Sequence, residues 1–585
     1  MTKYNILNIL DTTKSNKEKN LEADFIVQLE QDGDNYSYGA SEIQKRRHSE
    51  WYENYQLYRL KVQTNRLTQR QSVNIPLMKE TIKTGLAKQD FIDLVFASRS
   101  QDDQSTIDFN EYWRETVEKN NLEVQDEQDT KQEMLYGRSF MKIGIVDGAV
   151  AISVEDPMDI TIDRFADPAN IDGTANFVEH RHIYRSFSYI KGNKMYDPAG
   201  IKRLEDQLSG QDSGTAENDP EMYDNTRDTY NKLRGVGEGD PNNQMLGDVF
   251  VELKEQYIKK LDPKDGKHHI FIRVVANNIT IFSMRLLDYL GVDWFPIITW
   301  ASDIDRTDLW SDGVADIVRV PNKVLNAWFS QLVENRTLRN LGMYFYDATL
   351  DETWVPQTYD PVAWGWYGVA GDPNKTVKRM DIPDLSESLD EMQYVVSTVE
   401  RATASTALEK GVAQAGDMTL GEIKIITANA NQRITDSTKF RKLARLELGE
   451  KFEDLVLANK DILKPIKRFK KGFDGKVYSA VIDPSKFNEK EGFDVEPFIL
   501  SDKKANDLAN IQKMQGVLSM FPQNTPLKTI VQKRALSIID DLTPEEKDEI
   551  INFQKMIDER AMNANNQKPT ETLSPVQQLQ TLTTQ

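Results

Sequence analysis

The sequence predicts an α+β chain of several domains built around unusually long helices. Three observations predict it. Residues 312–341 carry Val314, Ile317, Val318, Val324, Leu325, Trp328, Phe329, Leu332 and Val333 at helical spacing, and Leu385, Leu389, Met392, Val396, Val399 and Thr403 repeat that pattern. Residues 419–461 follow without a proline and keep an apolar stripe from Ile423 to Leu455. Upstream, SFMKIGIVDGAVAISVEDPMDITID changes the period to alternation, and its Asp147-Gly148 is a two-residue hairpin signal.

Composition bounds the function. With 585 residues and 39% hydrophobic residues the chain can bury more than one core. Its net charge of −20 argues against wrapping nucleic acid, because phosphate neutralisation needs clustered Lys and Arg. A like-charged wall would instead repel a phosphate backbone and let it slide past. The absence of cysteine excludes disulfides, thiolate nucleophiles and Cys-bearing zinc sites. No apolar run approaches about 18 residues, so no transmembrane helix is expected. The N-terminal segment lacks the apolar core and cleavage site of a signal peptide, which places the chain in the cytoplasm or in an assembly built there.

In chain order, residues 1–40 are polar, end in QDGDNYSYGA, and read as a loosely held arm. Helices are expected from Ser41, with Trp51, Tyr55 and Tyr58 on one face. Lys79–Phe96 reads as a second helix anchored by Ile82, Leu86, Phe91 and Val95. Thr106–Tyr136 reads as a third, acidic on its outer side and stopped by Gly137. After the hairpin, a strand from Phe177 leads into a short helix. Residues 205–247 are poor in apolar residues and read as a long surface excursion. Strands resume at Val249–Leu261, His269–Val275, Ile279–Leu287 and Phe295–Trp300. Pro321 should kink or restart the helix at 312–341.

The segment between the two shorter helices is rich in aromatics, Pro and Gly. The long helix opens on a capping box, Thr419 with Glu422, and at 1.5 Å per residue would span about 65 Å. Gly449 could bend it. Such a rod needs partners along its length. A hairpin turning at Asp474-Gly475 follows, then short helical pieces over 501–554 and a polar tail.

Catalytic spacing is scarce: there is no phosphate-binding loop, no H-E-x-x-H and no G-x-S-x-G. His180-x-His182 would put two rings on one strand face, where a metal could use them or where they simply form a polar face. Asp303-x-Asp305 is half of a carboxylate pair or a polar loop before a helix. Lys464, Lys467, Arg468, Lys470 and Lys471 could meet an acidic partner or face solvent, as could Lys439, Arg441, Lys442 and Arg445 on the long helix. Trp354, Trp364, Trp366 and Tyr367 crowd a segment too short for its own large core, so they mark an interface or a small buried cluster. The connector Ser405–Met418 is longer than most helix connections and reads as a mobile loop. No catalytic residue, metal or cofactor is expected.

The ordered set LWSDGVADIVRVPNKVLNAWFSQLVEN, aromatic insert, ESLDEMQYVVSTVERATASTALEKG and GDMTLGEIKIITANANQRI resembles portal proteins of tailed double-stranded DNA bacteriophages, the short-tailed type in particular. YGRSFMKIGIVDGAVAISVEDPMDITID resembles their wing. The resemblance implies an N-terminal arm at 1–40, a wing at 41–309, a stem helix at 310–342, a clip at 343–384, a second stem helix at 385–404, a tunnel loop at 405–418, the long helix and a wing hairpin at 419–500, a crown at 501–561 and a tail at 562–585. It implies a dodecameric ring at one capsid vertex of the virion, assembled in the host cytoplasm. DNA would be packaged through its channel by the terminase large subunit and later ejected. Ser405, Lys410, Gln414 and Asp417 would face that DNA; Trp354, Trp364, Trp366 and Tyr367 would dock terminase and then the head-to-tail adaptor; the wing would face the major capsid protein. The excursion at 205–247 has no counterpart in that family. Alternatives are another phage structural protein, an adaptor or scaffold, or a metal-dependent nuclease using Asp303, Asp305, His180 and His182.

Overall fold

The structure, a computed structural model, describes residues 16–61, 73–89, 91–99, 103–209, 250–341, 344–346, 377–379, 388–403, 420–471, 477–487 and 492–499. It is a mixed α+β chain. In order come α1 (Asn16–Tyr58), α2 (Leu77–Ala87), β1 (Ile92–Ser98), α3 (Asp103–Lys119), α4 (Leu122–Tyr136), β2 (Ser139–Val146), β3 (Ala149–Glu155), β4 (Ile160–Ile162), β5 (Phe177–Ser186), α5 (Phe187–Gly192) and α6 (Pro198–Ser209). Then follow β6 (Phe250–Leu261), β7 (His268–Ala276), β8 (Ile279–Arg285), α7 (Leu286–Leu290), β9 (Ile297–Trp300) and α8 (Val314–Leu341). The short strands β10 (Tyr344–Tyr346) and β11 (Val377–Arg379) precede α9 (Ser388–Thr403), α10 (Leu420–Ala458), β12 (Ile466–Lys471), β13 (Val477–Ile482) and β14 (Phe493–Ile499).

The strands form an antiparallel five-stranded sheet in the order β4-β5-β6-β7-β8, an antiparallel three-stranded sheet in the order β3-β2-β9, and three two-stranded ribbons. The β2–β3 hairpin turns as expected. Asp147 (φ 52°) and Gly148 (φ 76°) both take the left-handed conformation that a tight hairpin twist requires. One ribbon pairs β1 with β14, bringing the early chain onto a strand past the long helix.

Four expectations are corrected. Much of the proposed arm is helix: α1 starts at Asn16 and its middle lies across the five-stranded sheet, where Leu29 joins Phe177, Ile258 and Phe271 in a small core. Gly33 is the point of closest approach, since a Cβ there would stand 2.7 Å from Gln256 Oε1 and 2.9 Å from Arg273 Nη1. The second helix ends at Ala87, and Phe91 and Val95 lie in or next to β1, whose alternating burial marks a strand. The third helix is two, because Asn121 turns left-handed (φ 48°) between α3 and α4. The acidic side of α4 faces outward only in part: Glu123 and Glu127 are exposed, while Asp126, Asp129 and Glu133 are buried.

The long helix is present as α10, 39 residues, or about 58 Å. Its C-terminal part is the spine of the main core, with Leu448, Phe452, Leu455 and Val456 fully buried. That part finds its partners within its own chain. Gly449 serves contact: a Cβ there would lie 2.4 Å from Val495 Cγ1, so glycine lets the β1–β14 ribbon lie against the helix. Helix α8 continues through Pro321, whose missing amide is offset by packing on the next turn, where Asn322 and Leu325 are buried. The capping box at Thr419, the hairpin turn at Asp474-Gly475, and the proposed clip interior, tunnel loop, crown and tail lie outside the described residues, as does residue 210 onward of the excursion.

Candidate functional site

The described residues converge on the root of α8, where the helix leaves the body of the chain. Two glycines make the junction. Gly137 ends α4 with φ 82°, and a Cβ there would fall 1.7 Å from the Ser311 carbonyl oxygen. A Cβ at Gly313 would fall 2.7 Å from the Met134 carbonyl oxygen. The backbones of the two helix ends therefore touch, which no larger residue permits. Asp316, in the first turn of α8, reaches back to accept from the Gly313 amide (3.0 Å) and also accepts from Asn54 Nδ2 (3.0 Å). Arg47 of α1 donates to Asp308 (2.9 Å), to the Trp310 carbonyl (2.7 Å) and to Asp312 (2.7 Å). Burial opposes its charge, but Asp312 and Asp308 hold its pKa above the ordinary value. Arg138 is fully buried beneath, donating to the carbonyls of Leu309 and Pro168 (3.0 Å each). Burial pushes its guanidinium down to about 10. Trp51, Phe140 and Trp310 stack edge to face in the core below.

Further along α8, a polar ladder holds the extended segment that enters α2. Asn322 Oδ1 accepts from the Met78 amide (2.9 Å), Asn326 Oδ1 from Ile75 (2.7 Å) and Ser330 Oγ from Val73 (3.0 Å). The four-residue spacing puts all three on one helix face. Helix α9 packs on α8 and buries Met392 and Val399, while the β10–β11 pair closes the base of the insert between them.

A second anchor ties α10 to α4. Arg441 and Arg445 are each 2% exposed and both pair with Asp126; Arg445 also reaches Asp129 (3.2 Å). Asp129 accepts in addition from Ser139 Oγ (2.6 Å) and Trp300 Nε1 (2.8 Å). Burial lifts the Asp129 carboxyl above its ordinary value, against the pull of Arg445. The expectation that Arg441 and Arg445 meet a neighbour's acidic surface or face solvent is thus corrected: their acids are in their own chain. What the sequence held was acidic residues along one helix and two arginines four residues apart on a later one.

His180 and His182 do not share a face as a plain strand would place them. The pairing of β5 with β6 shifts register between His180 and Ile183, and His182 has φ 56°. His180 lies by Lys142 and Glu155, while His182 Nδ1 bonds Asp159 (2.6 Å). Burial and Lys142 lower His180, whereas the Asp159 bond outweighs burial and raises His182. Asp303 and Asp305 lie in the exposed loop before α8, where Asp305 accepts from the Thr307 amide (2.8 Å). Among the described residues no group of three or more acidic, His or Cys side chains is placed to hold a metal, and no helix is long and apolar enough to cross a membrane. Trp354, Trp364, Trp366, Tyr367, Ser405, Lys410, Gln414 and Asp417 lie outside the described residues.

No known family description matches this chain, and no curated protein matches it. Among solved structures, it aligns with a chain from the virion of a native gene transfer agent particle. The two are 10% identical, the alignment covers 78% of this chain and 89% of that one, and the TM-score is 0.31. A likeness this loose carries no argument about what the chain does.

Proposed function

We propose that the chain is a portal protein, one subunit of a ring-shaped channel at a capsid vertex through which viral DNA is packaged and ejected. The observation that carries the reading is the device formed by α8, the β10–β11 ribbon, α9 and α10. It is a helix pair with an insert at its far end, a long helix after it, and a rigid root in a sheet-rich body. A stem that bears load from a packaging motor needs such a root, and the glycine junction, the Arg47 clamp and the Asn322 ladder supply it. Exposed apolar side chains on the pair, Ile317, Val320, Leu389 and Tyr394, suit contact with further copies.

On this reading the terminase large subunit and the head-to-tail adaptor dock at the insert, the body faces the major capsid protein, and the chain has no catalytic role of its own. Negative-stain imaging of the purified full-length protein tests it. Rings with a central hole are expected; a strictly monomeric species by light scattering under assembly conditions overturns it.

A further inference from the structure

One face of α10 borders a small acidic groove. Glu447, Glu450, Lys451 and Asp454 fall at helical spacing on that face, and with Asp172 and Trp294 they line a cavity of about 340 Å³. The charged residues of its lining are four carboxylates, Asp172, Glu447, Glu450 and Asp454, against the one ammonium of Lys451. Lys451 is committed inward. It is buried, pairs with Glu447 (2.7 Å) and Asp172 (3.2 Å), and donates to the carbonyls of Phe295 (2.9 Å) and Ile297 (3.3 Å). Glu450 and Asp454 stay exposed. Arg99 also feels Glu450, but its guanidinium is bonded to Asp494 (2.8 Å). The groove therefore presents a negative surplus to water.

The β12–β13 ribbon is its opposite in charge. Residues 464–486 hold seven Lys or Arg against two Asp, in a chain whose net charge is −20. Lys464 and Lys467 are exposed, as is Val481, which faces Lys467 across the ribbon. Neither lysine is ion-paired among the described residues. The ribbon packs on α3. So does the side of α10 away from the groove: the Phe452 ring lies 4.8 Å from Trp113 and 5.7 Å from Phe109, centre to centre, and Phe109 lies 5.3 Å from Phe487, just past the ribbon. Groove and ribbon thus stand on opposite sides of the α10–α3 pair, and one copy cannot fill its own groove with its own ribbon.

We propose that the acidic groove on α10 receives the basic β12–β13 ribbon of a second copy of this chain. Complementary patches on opposite sides join copies head to tail, which closes a ring or extends a filament. The occupant is set by charge, since Lys464 and Lys467 would meet Glu450 and Asp454, the carboxylates that Lys451 leaves unanswered. Val481 would be covered beside them. Salt weakens such a contact and like charges forbid it. The contact rests on the portal reading only in needing copies of the chain to associate, and it lies in the body rather than on the α8–α9 stem.

Sedimentation of the full-length protein over a concentration series tests it with a charge swap. The ribbon variant, Lys464→Glu with Lys467→Glu, and the groove variant, Glu450→Lys with Asp454→Lys, should each need about tenfold more protein or higher to assemble. A chain with all four changes should assemble at the unaltered concentration, and so should an equal mixture of the two variants, because every contact then pairs opposite charges. Assembly of the unaltered chain that neither reversal disturbs overturns the contact and leaves the portal reading standing. Loss in both variants without recovery in the four-change chain also overturns it. Open filaments that both variants break would keep the contact and overturn the portal reading, whereas an unaltered chain that stays single at every concentration overturns both. Should the groove variant melt early, Glu450→Gln with Asp454→Asn decides instead: unchanged assembly there overturns the contact.

Discussion

Asp126 answers two guanidinium groups in a place where water cannot. Removing one member of a buried ion pair strands the other, at about 3–5 kcal/mol, far more than the pair itself is worth over apolar packing. Asp126→Asn should therefore cost more than Arg445→Met, because the first leaves Arg441 with no carboxylate and Arg445 with Asp129 alone, while the second leaves Asp126 with Arg441. Urea unfolding midpoints of the two variants check the order; equal shifts would show that the hub is not charge-balanced through Asp126.

Glu133 makes a different prediction. It is buried, accepts from the Ser302 amide (3.1 Å) and hydroxyl, and burial lifts its carboxyl to about 7. The folded chain thus holds a proton that the unfolded chain has released between about pH 4.5 and 7. This contribution to stability is complete below 4.5 and is lost as pH rises through 7, at about 1.4 kcal/mol per unit of pKa difference. His182 and His269, both held above the imidazole value of 6.5, add loss of the same sign above it. Glu133→Gln should flatten the fall in melting temperature between pH 5 and 7, and an unchanged slope would rule Glu133 out as its source.

At the scale of elements, the edges of four strands, β1, β3, β4 and β9, carry side-chain bonds to their backbone. Asn110 both donates to and accepts from Phe96 on β1. Asn120 does the same for Val150 and Ile152 on β3. Gln44 donates to the Ile160 carbonyl on β4, and Lys451 to the Ile297 carbonyl on β9. Each removes a site where another chain could pair.

The α8 ladder works by the same chemistry. Asn326→Leu should leave the Ile75 amide unsatisfied, at about 1–3 kcal/mol, and speed hydrogen exchange across Val73–Met78 while the sheets keep their protection. Gly137→Ala should be worse, since both its φ and the Ser311 carbonyl forbid the methyl group.

The strands and their hairpin were legible because alternation and Asp147-Gly148 are local signals. Strand β1 was not, since IDLVFAS is a short apolar run that only its pairing with the distant β14 makes a strand. Helix α1 was hidden for a related reason. Its polar, glycine-bearing middle is fixed by Arg273 and Lys260, which bond Asp34 and Asp32 from more than 200 residues away. The anchors of the candidate site escaped because a charged helix face reads as solvated unless its partner helix is known.

At the scale of the whole molecule, the α8–α9 pair is one of the places where large apolar side chains meet water. Ile317 and Val320 on α8 are 50% and 60% exposed, and Leu389 and Tyr394 on α9 are 47% and 68% exposed. A single copy leaves them in water, whereas a ring would set each stem pair against its neighbours; a stable contact of that kind buries on the order of 1,000 Å² or more. Charges placed there should separate assembly from folding. Exposed substitutions usually cost within about 0.5 kcal/mol, so Val320→Glu with Tyr394→Glu should melt within a few degrees of the unaltered chain. On the proposed ring reading, like charges facing like charges should meanwhile shift its sedimentation toward the single subunit. Val27→Glu, on the exposed side of α1 and away from the stem, should leave assembly intact. A stem variant that assembles as well as the unaltered chain would place the subunit contact elsewhere, and one that also unfolds would mean the stem face is held within the chain.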